Sequence, residues 1–239
     1  MKSRIPSSIA FEDARDAMHR QMLSAVSHDL KTPLATIIGS LEIYTRMEAR
    51  LTPEKKVMLI QSALGEAYRL DNFVTNILDM AKLEGNMVKM RMEKIDVSVV
   101  IKDTITKLGP KAEQSNIKIN HQPGMVANTD PTLLGRALGI LIDNAIKHAG
   151  KRSNIIIECM KDERDLTIAV RDDGDGIPPA KLEEIFLKHT RFAKSDQQNA
   201  GTGLGLAICK QIMALISGSV TVKNIPNGGA EFMLRLSSL

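Results

Sequence analysis

The segment Ser27-His28-Asp29-Leu30-Lys31-Thr32-Pro33-Leu34 sets an imidazole, a carboxylate and a hydroxyl close together along one stretch of chain. An exposed imidazole beside a carboxylate is available as a nucleophile, with Asp29 to orient the ring or take up its proton. Val26 and Leu30 mark an apolar helix face and lie two positions to either side of His28. The ring is therefore expected on the solvent side. Thr32 follows one helical turn later, on the same face as His28. Pro33 lies inside the same helical stretch, removes a backbone hydrogen bond and is expected to bend the rod.

Three later segments carry phosphate and amine chemistry. Asn144-Ala145-Ile146-Lys147-His148 ends a helix whose apolar side is Leu133, Leu134, Leu138, Leu141 and Ile142. An amide oxygen there is a hard ligand suited to Mg²⁺ beside phosphates, and a lysine meets phosphate as a point charge. Asp172-Asp173-Gly174-Asp175-Gly176-Ile177-Pro178 follows a predicted strand. Its glycines let backbone approach a ligand, and a carboxylate beside them can accept a hydrogen bond from an amino group. The aspartate density does not make a calcium loop, because no Glu stands at the twelfth position from Asp172 or Asp173. Gly201-Thr202-Gly203-Leu204-Gly205-Leu206 opens a helix, where free N–H groups bind phosphate. Its spacing is neither a dinucleotide fingerprint nor a P-loop.

The elements that must position these groups follow from hydrophobic period and caps. Residues 10–84 read as two long helices, with Leu23, Val26, Leu30, Ile37, Leu41, Tyr44 and Met47 striping the first. Some 40 residues of helix make a rod of about 60 Å. Thr52-Pro53-Glu54 restarts the chain as an N-cap, a first-position proline and an acid at the positive end of the dipole. Gly85 is the expected C-terminal stop. One hairpin leaves its apolar seam wet, and a second copy would cover it as a homodimeric four-helix bundle. Beyond Gly85, strands are expected over 88–97, 117–121, 125–128, 155–160, 166–171, 219–223 and 231–236, and helices over 98–108, 130–148, 179–188 and 204–216. The polar stretch 189–202 has no period. This order implies helices on one face of a mixed sheet. The fold class is thus a helical hairpin followed by an α/β sandwich, divided into residues 10–85 and 86–239.

The His-Asp-x-x-Thr-Pro segment resembles the phosphoacceptor box of sensor histidine kinases, in their HisKA-type dimerisation and phosphotransfer domain. The three later segments, in this order, resemble the N, G1 and G2 boxes of the Bergerat-type ATP-binding fold, and Gly228-Gly229-Ala230 resembles its later glycine box. The resemblance covers residues 16–239. It implies that ATP, with Mg²⁺ held at Asn144, phosphorylates His28, with Asp29 as base or orienter and Thr32 in regulator dephosphorylation. It implies Lys147 and His148 on phosphates, and Asp172 on the adenine amino group with Gly174, Gly176 and Ile177 shaping that end. Arg191 and Lys194 fall in the lid, with Gly203 and Gly205 at its hinge, and Gly201, Thr202 and Leu204 join them among the nucleotide-binding residues. The implied partner is a response regulator, whose aspartate accepts the phosphoryl group. The alternatives are a Bergerat-fold ATPase and a nucleotide-binding scaffold without phosphotransfer.

Two positions depart from the family pattern. Ile140 stands where histidine kinases commonly have a second Asn and hydrolytic relatives a Glu. Isoleucine cannot activate water, which favours phosphoryl transfer over hydrolysis. His189 replaces a usual aromatic of the F-box, Ile185-Phe186-Leu187-Lys188-His189-Thr190-Arg191. His19 and His121 have no comparable setting and read as surface residues.

Composition agrees. Thirty-two Lys and Arg against 28 Asp and Glu leave a net charge of +4, spread along the chain. That spread argues against a nucleic-acid binder, which needs a clustered basic face. Two cysteines cannot make a disulfide framework and fit a reducing compartment. No apolar run is long enough for a membrane span, and no apolar core follows Met1-Lys2-Ser3-Arg4 as in a signal peptide. The expected location is cytoplasmic, on a chain compatible with a longer protein anchored in the inner membrane. With no Trp and only two Tyr and five Phe against 13 Met, the core must be aliphatic, as in long packed helices.

Overall fold

A computed structural model describes residues 8–85, 87–122, 124–150, 153–162, 165–187, 203–226 and 228–237. Side chains of residues 8–25, His28 and Gln114 lie outside that description. The chain forms two compact units that divide between Thr75 and Asn76.

The first unit holds α1 (Ser8–Met47), a short 3-10 turn (Glu48–Arg50) and most of α2 (Pro53–Glu84). α1 continues through Pro33, which is buried. Thr52 Oγ1 accepts from Lys55 N at 3.4 Å, the expected cap of α2. At the other end Gly85 N donates to Ala81 O at 3.0 Å, one more helical bond and no left-handed stop. Ser40, Ala63 and Phe73 are buried, whereas Leu41, Met47, Val57, Ile60 and Leu64 are 43–54% exposed. The apolar stripe therefore stays largely solvated in a single copy.

The second unit is a mixed sheet with helices packed against it. β2 (Asn116–His121), β4 (Asn154–Lys161), β5 (Asp165–Arg171), β7 (Ala230–Ser237) and β6 (Ser219–Asn224) lie side by side in that order. Only β2 and β4 run parallel. A separate antiparallel pair joins β1 (Glu93–Asp96) to β3 (Val126–Thr129). α3 (Val97–Leu108) packs on α4 (Pro131–Ala149), and α4 on α5 (Gly205–Leu215). The core is aliphatic, as the composition requires. Leu134, Leu138, Leu141 and Ile142 of α4 are fully buried, as are Ile155, Ile157, Leu166 and Ile168 of β4 and β5.

α4 starts where the Asp-Pro pair predicts. Asp130 Oδ1 accepts from Thr132 N at 2.9 Å and Leu133 N at 3.0 Å. Its Oδ2 accepts from Arg91 N at 2.7 Å, so one buried carboxylate caps the helix and holds the incoming chain.

Two expected elements differ. The strand expected over 88–97 is only Glu93–Asp96. Asp96 Oδ1 caps α3 through Ser98 N at 2.9 Å, so Val97 already belongs to the helix. The helix expected over 179–188 is a 3-10 turn, Pro179–Lys181, followed by further turns. Ile185 is its one buried residue among the described residues, so little packing supports a longer helix. Bonds such as Leu182 N to Pro179 O and Leu187 N to Glu184 O span three residues.

Candidate functional site

The loop after β5 meets two other segments in the second unit. A side-chain carbon on Gly174 would stand 2.8 Å from His148 O and 3.1 Å from Ala149 Cα, so this glycine presses on the end of α4. One on Gly228 would stand 3.2 Å from Gly174 O, so the turn between β6 and β7 closes on the same loop. α5 begins against α4 as well, where a carbon on Gly205 would meet Ile140 Cγ2 at 3.3 Å. Ile140 thus fills the space beside the helix opening.

Asp172 sits at the centre, 5% exposed. Its Oδ1 accepts from Gly174 N at 3.0 Å and from Ala230 N at 3.3 Å, while Asp172 N donates to Ala230 O at 3.0 Å. Burial pushes its carboxyl above the usual aspartate value, against the opposing pull of the Gly174 and Ala230 N–H groups and of His148. A carboxylate held this way is fixed in place by its two N–H donors.

The other candidates are less uniform. Asn144 is half-buried on α4, and among the described residues nothing hydrogen-bonds its carboxamide. Lys147 is exposed and ion-paired with Asp143, which also takes Lys111 Nζ at 3.4 Å. His148 is exposed at the end of the same helix. Gly176 (φ 74°) and Gly203 (φ 64°) adopt left-handed backbone, which favours glycine. Leu204 is fully buried just before α5. Ile177 is half-buried. Arg191, Lys194, Gly201, Thr202 and the divergent His189 lie outside the described residues. In the first unit, Asp29 is half-buried and Thr32 exposed, with Thr32 O accepting from Thr36 Oγ1 at 3.2 Å. The backbone of His28 is in α1, while its expected exposure lies outside what is described. His121 is exposed, as read.

Two family models match this arrangement. Residues 18–86 match the His Kinase A (phospho-acceptor) domain, and residues 129–238 match the histidine kinase-, DNA gyrase B- and HSP90-like ATPase. The first span includes His28 and the second contains the loop at Asp172. The chain carries the two domains of a sensor histidine kinase catalytic core.

Curated relatives of this histidine kinase core include sensor protein KdpD of Escherichia coli, 32% identical over 98% of this chain and 26% of that protein. The signal transduction histidine-protein kinase AfsQ2 of Streptomyces coelicolor is 29% identical, over 93% of this chain and 42% of its own length. The chain thus spans about a quarter to a half of the curated relatives it matches. Among solved structures, histidine kinase ThkA in complex with response regulator protein TrrA superposes with a TM-score of 0.72. That likeness is 21% identical and covers 99% of this chain and 68% of that one. Acinetobacter baumannii histidine kinase AdeS superposes at 0.66 and 19% identity, over 88% of this chain and 97% of its own. Both share the fold. Among the described residues no helix is long and apolar enough to cross a membrane.

Sequence reasoning missed the residues that brace the kinase core's loop from outside. Asp173, inside the Asp-Gly motif, accepts from Asn154 N with both oxygens at 3.0 Å and from Asn154 Nδ2 at 2.8 Å, tying the loop to β4. Asn224, at the end of β6, hydrogen-bonds the backbone of Ile177. The Asn-Gly-Gly turn nearby was the signal available, but it marks a bend and not a clamp.

Proposed function

We propose that this chain transfers the γ-phosphoryl group of ATP to a ring nitrogen of His28, and passes it on to an aspartate of a response regulator. The observation that carries the reading is the convergence of the end of α4, the loop at Asp172 and the β6–β7 turn around one buried carboxylate. A buried, oriented carboxylate oxygen accepts a hydrogen bond from an amino group, which suits the adenine amine. The glycines at 174 and 176 let this loop pack against the end of α4 and against Asn224, which fixes the backbone beside Asp172. Gly203 and Gly205 open α5, whose free N–H groups suit the phosphates.

In the transfer, a nitrogen–phosphorus bond forms at His28 and the bond from phosphorus to the β-phosphate oxygen breaks, releasing ADP. Asp29 orients the imidazole or takes its proton. The half-buried Asn144 carboxamide fits a role as one oxygen ligand of Mg²⁺, which when bound neutralises charge developing on the phosphates. Lys147 exchanges its Asp143 partner for phosphate, since the exposed lysine leaves Asp143 paired with Lys111. Arg191 and Lys194 contribute cations from the lid. Thr32 positions water for dephosphorylating the regulator.

The solvated stripe on α1 and α2 supports a homodimer, in which a second hairpin covers Leu41, Ile60 and Leu64. Incubation with γ-labelled ATP and Mg²⁺ tests the reading. Acid-labile, alkali-stable label is expected on the wild-type chain and none on His28→Gln. Full labelling of His28→Gln, or none on the wild type, refutes it.

A further inference from the structure

The loop from Asp172 to Ile177 is gripped at both ends by one cross-strand pair. Asn224 of β6 faces Ala230 of β7 in the sheet register. Ala230 holds the first end, through its N–H on Asp172 Oδ1 at 3.3 Å and its carbonyl on Asp172 N at 3.0 Å. Asn224 holds the other end. Its Oδ1 accepts from Ile177 N at 2.8 Å, and its Nδ2 donates to Ile177 O at 2.6 Å. The carboxamide thus closes a ring of two hydrogen bonds on a single residue's backbone. The same Oδ1 would lie 3.0 Å from a side-chain carbon on Gly176, which is already in left-handed backbone at φ 74°. The loop can turn there only because Gly176 leaves that space to Asn224.

The chemistry singles out a carboxamide. Only Asn and Gln carry an acceptor and a donor side by side in a planar fork, and the orientation of the fork is dictated by its partners, an N–H and a C=O. Asn224 is also exposed. In the unfolded chain its amide and the Ile177 backbone bond to water, so the pair adds little to global stability. Its consequence is local: it selects one conformation of a glycine-rich loop that otherwise has many.

We infer that Asn224 is a positioning residue for nucleotide binding, which locks the Ile177 end of the loop so that Asp172 and the backbone beside it stay set for the base. The inference rests on the nucleotide reading above. It assigns to β6 a role in affinity that none of the glycine segments carries.

The test is calorimetric titration of the whole chain with ADP and, separately, ATP in the presence of Mg²⁺. Wild type, Asn224→Ala, Asn224→Asp and a control, Thr221→Ala on the same strand, are compared together with their melting temperatures. Losing two hydrogen bonds that preorganise the loop is expected to weaken both nucleotides by roughly tenfold in Asn224→Ala. The factor should be equal for ADP and ATP, because the base end is common to both. Binding stoichiometry and melting temperature should stay near wild type, whereas general loss of structure would lower the number of sites. Asn224→Asp is isosteric, keeps the acceptor and sets an oxygen against the Ile177 carbonyl. It should also weaken both nucleotides, and it carries the test if Asn224→Ala folds poorly. Wild-type affinity in both variants, or a loss seen as fewer sites, overturns the inference while leaving the nucleotide site in place. A wild-type chain that binds neither nucleotide overturns both.

Discussion

A side-chain carbon on Gly229 would stand 2.0 Å from the carbonyl oxygen of Asp172. No rotamer relieves such an overlap, because both atoms belong to or adjoin the backbone. The closeness lets β7 start directly against the loop, with Ala230 bonded to Asp172 on both sides of the peptide. Gly229 also has φ 94°, which an L side chain rarely adopts. Gly229→Ala should therefore cost about 3 kcal/mol or more in denaturant unfolding, and nucleotide affinity should fall with it. Gly124→Ala is the comparison. That glycine has φ 80° but open space around it, so only backbone strain of about 1 kcal/mol is expected.

A row of ions crosses the sheet next to the loop. Arg171 Nη1 meets Glu158 Oε2 at 2.7 Å, Arg171 Nε meets Glu231 Oε2 at 2.8 Å, and Lys223 Nζ meets Glu231 Oε1 at 3.3 Å. Burial pushes the Glu231 carboxyl up, but the hydrogen bonds and charges of Arg171 and Lys223 outweigh it and hold it below the usual glutamate value. Arg171→Met should cost about 2 kcal/mol near neutral pH, since a buried carboxylate then keeps one cation instead of two.

Two of the buried carboxylates, Glu231 and Asp172, predict opposite pH dependences. Glu231, with a lowered folded value, adds stability that is present above its unfolded value of about 4.3 and is lost as pH falls through the folded value. Asp172, with a raised folded value, favours its protonated form. Its contribution is present below the unfolded value of about 3.9 and is lost as pH rises through the folded one. Urea unfolding between pH 3 and 7 should show a shallower acid limb for Glu231→Gln. Asp172→Asn should instead remove part of the loss on the alkaline side of that window.

Arg136 ties α4 to the last turns of α2. Its Nε donates to Asp79 Oδ2 at 2.9 Å and its Nη2 to Asn76 Oδ1 at 2.8 Å. The Arg136 side chain is 36% exposed, which screens the pair, so Arg136→Ala should cost only about 1 kcal/mol globally. Its sharper effect is expected in hydrogen exchange, as faster exchange of amides over residues 76–84 with the core of α4 unchanged.

Both thiols should be inert in the folded protein. Burial, aided by the charges of Asp96 and Glu158, pushes Cys159 up to about 11, and burial alone pushes Cys209 up to about 12. Iodoacetamide at pH 8 should label neither until denaturant is added, after which both should react fully.

Much of this was legible in the chain, and the reason is locality. Asp130-Pro131 announces α4 because a cap and a first-position proline act within one turn, and the structure starts the helix at Pro131. The paired strands around 162–164 and 225–229 follow from alternation broken by turn residues. The 179–188 segment misled because its helical period was not matched by a buried face. Only Ile185 is buried there among the described residues, so little packing holds a helix beyond the 3-10 turn Pro179–Lys181.

The kinds of chemistry present, and the family, are legible in the short motifs alone. Phosphoacceptor, amide, carboxylate and glycine segments are written in short runs that need no partner to be recognised. The tertiary structure decided what holds them. It placed β7 between β5 and β6, so that Ala230 reaches Asp172 and Asn224 reaches Ile177 from 47 residues away. It also gave Lys147 an acidic neighbour and set Ile140 against Gly205. Those pairings depend on strand register and on which helix faces meet, and a register is a property of two strands together, invisible in either alone.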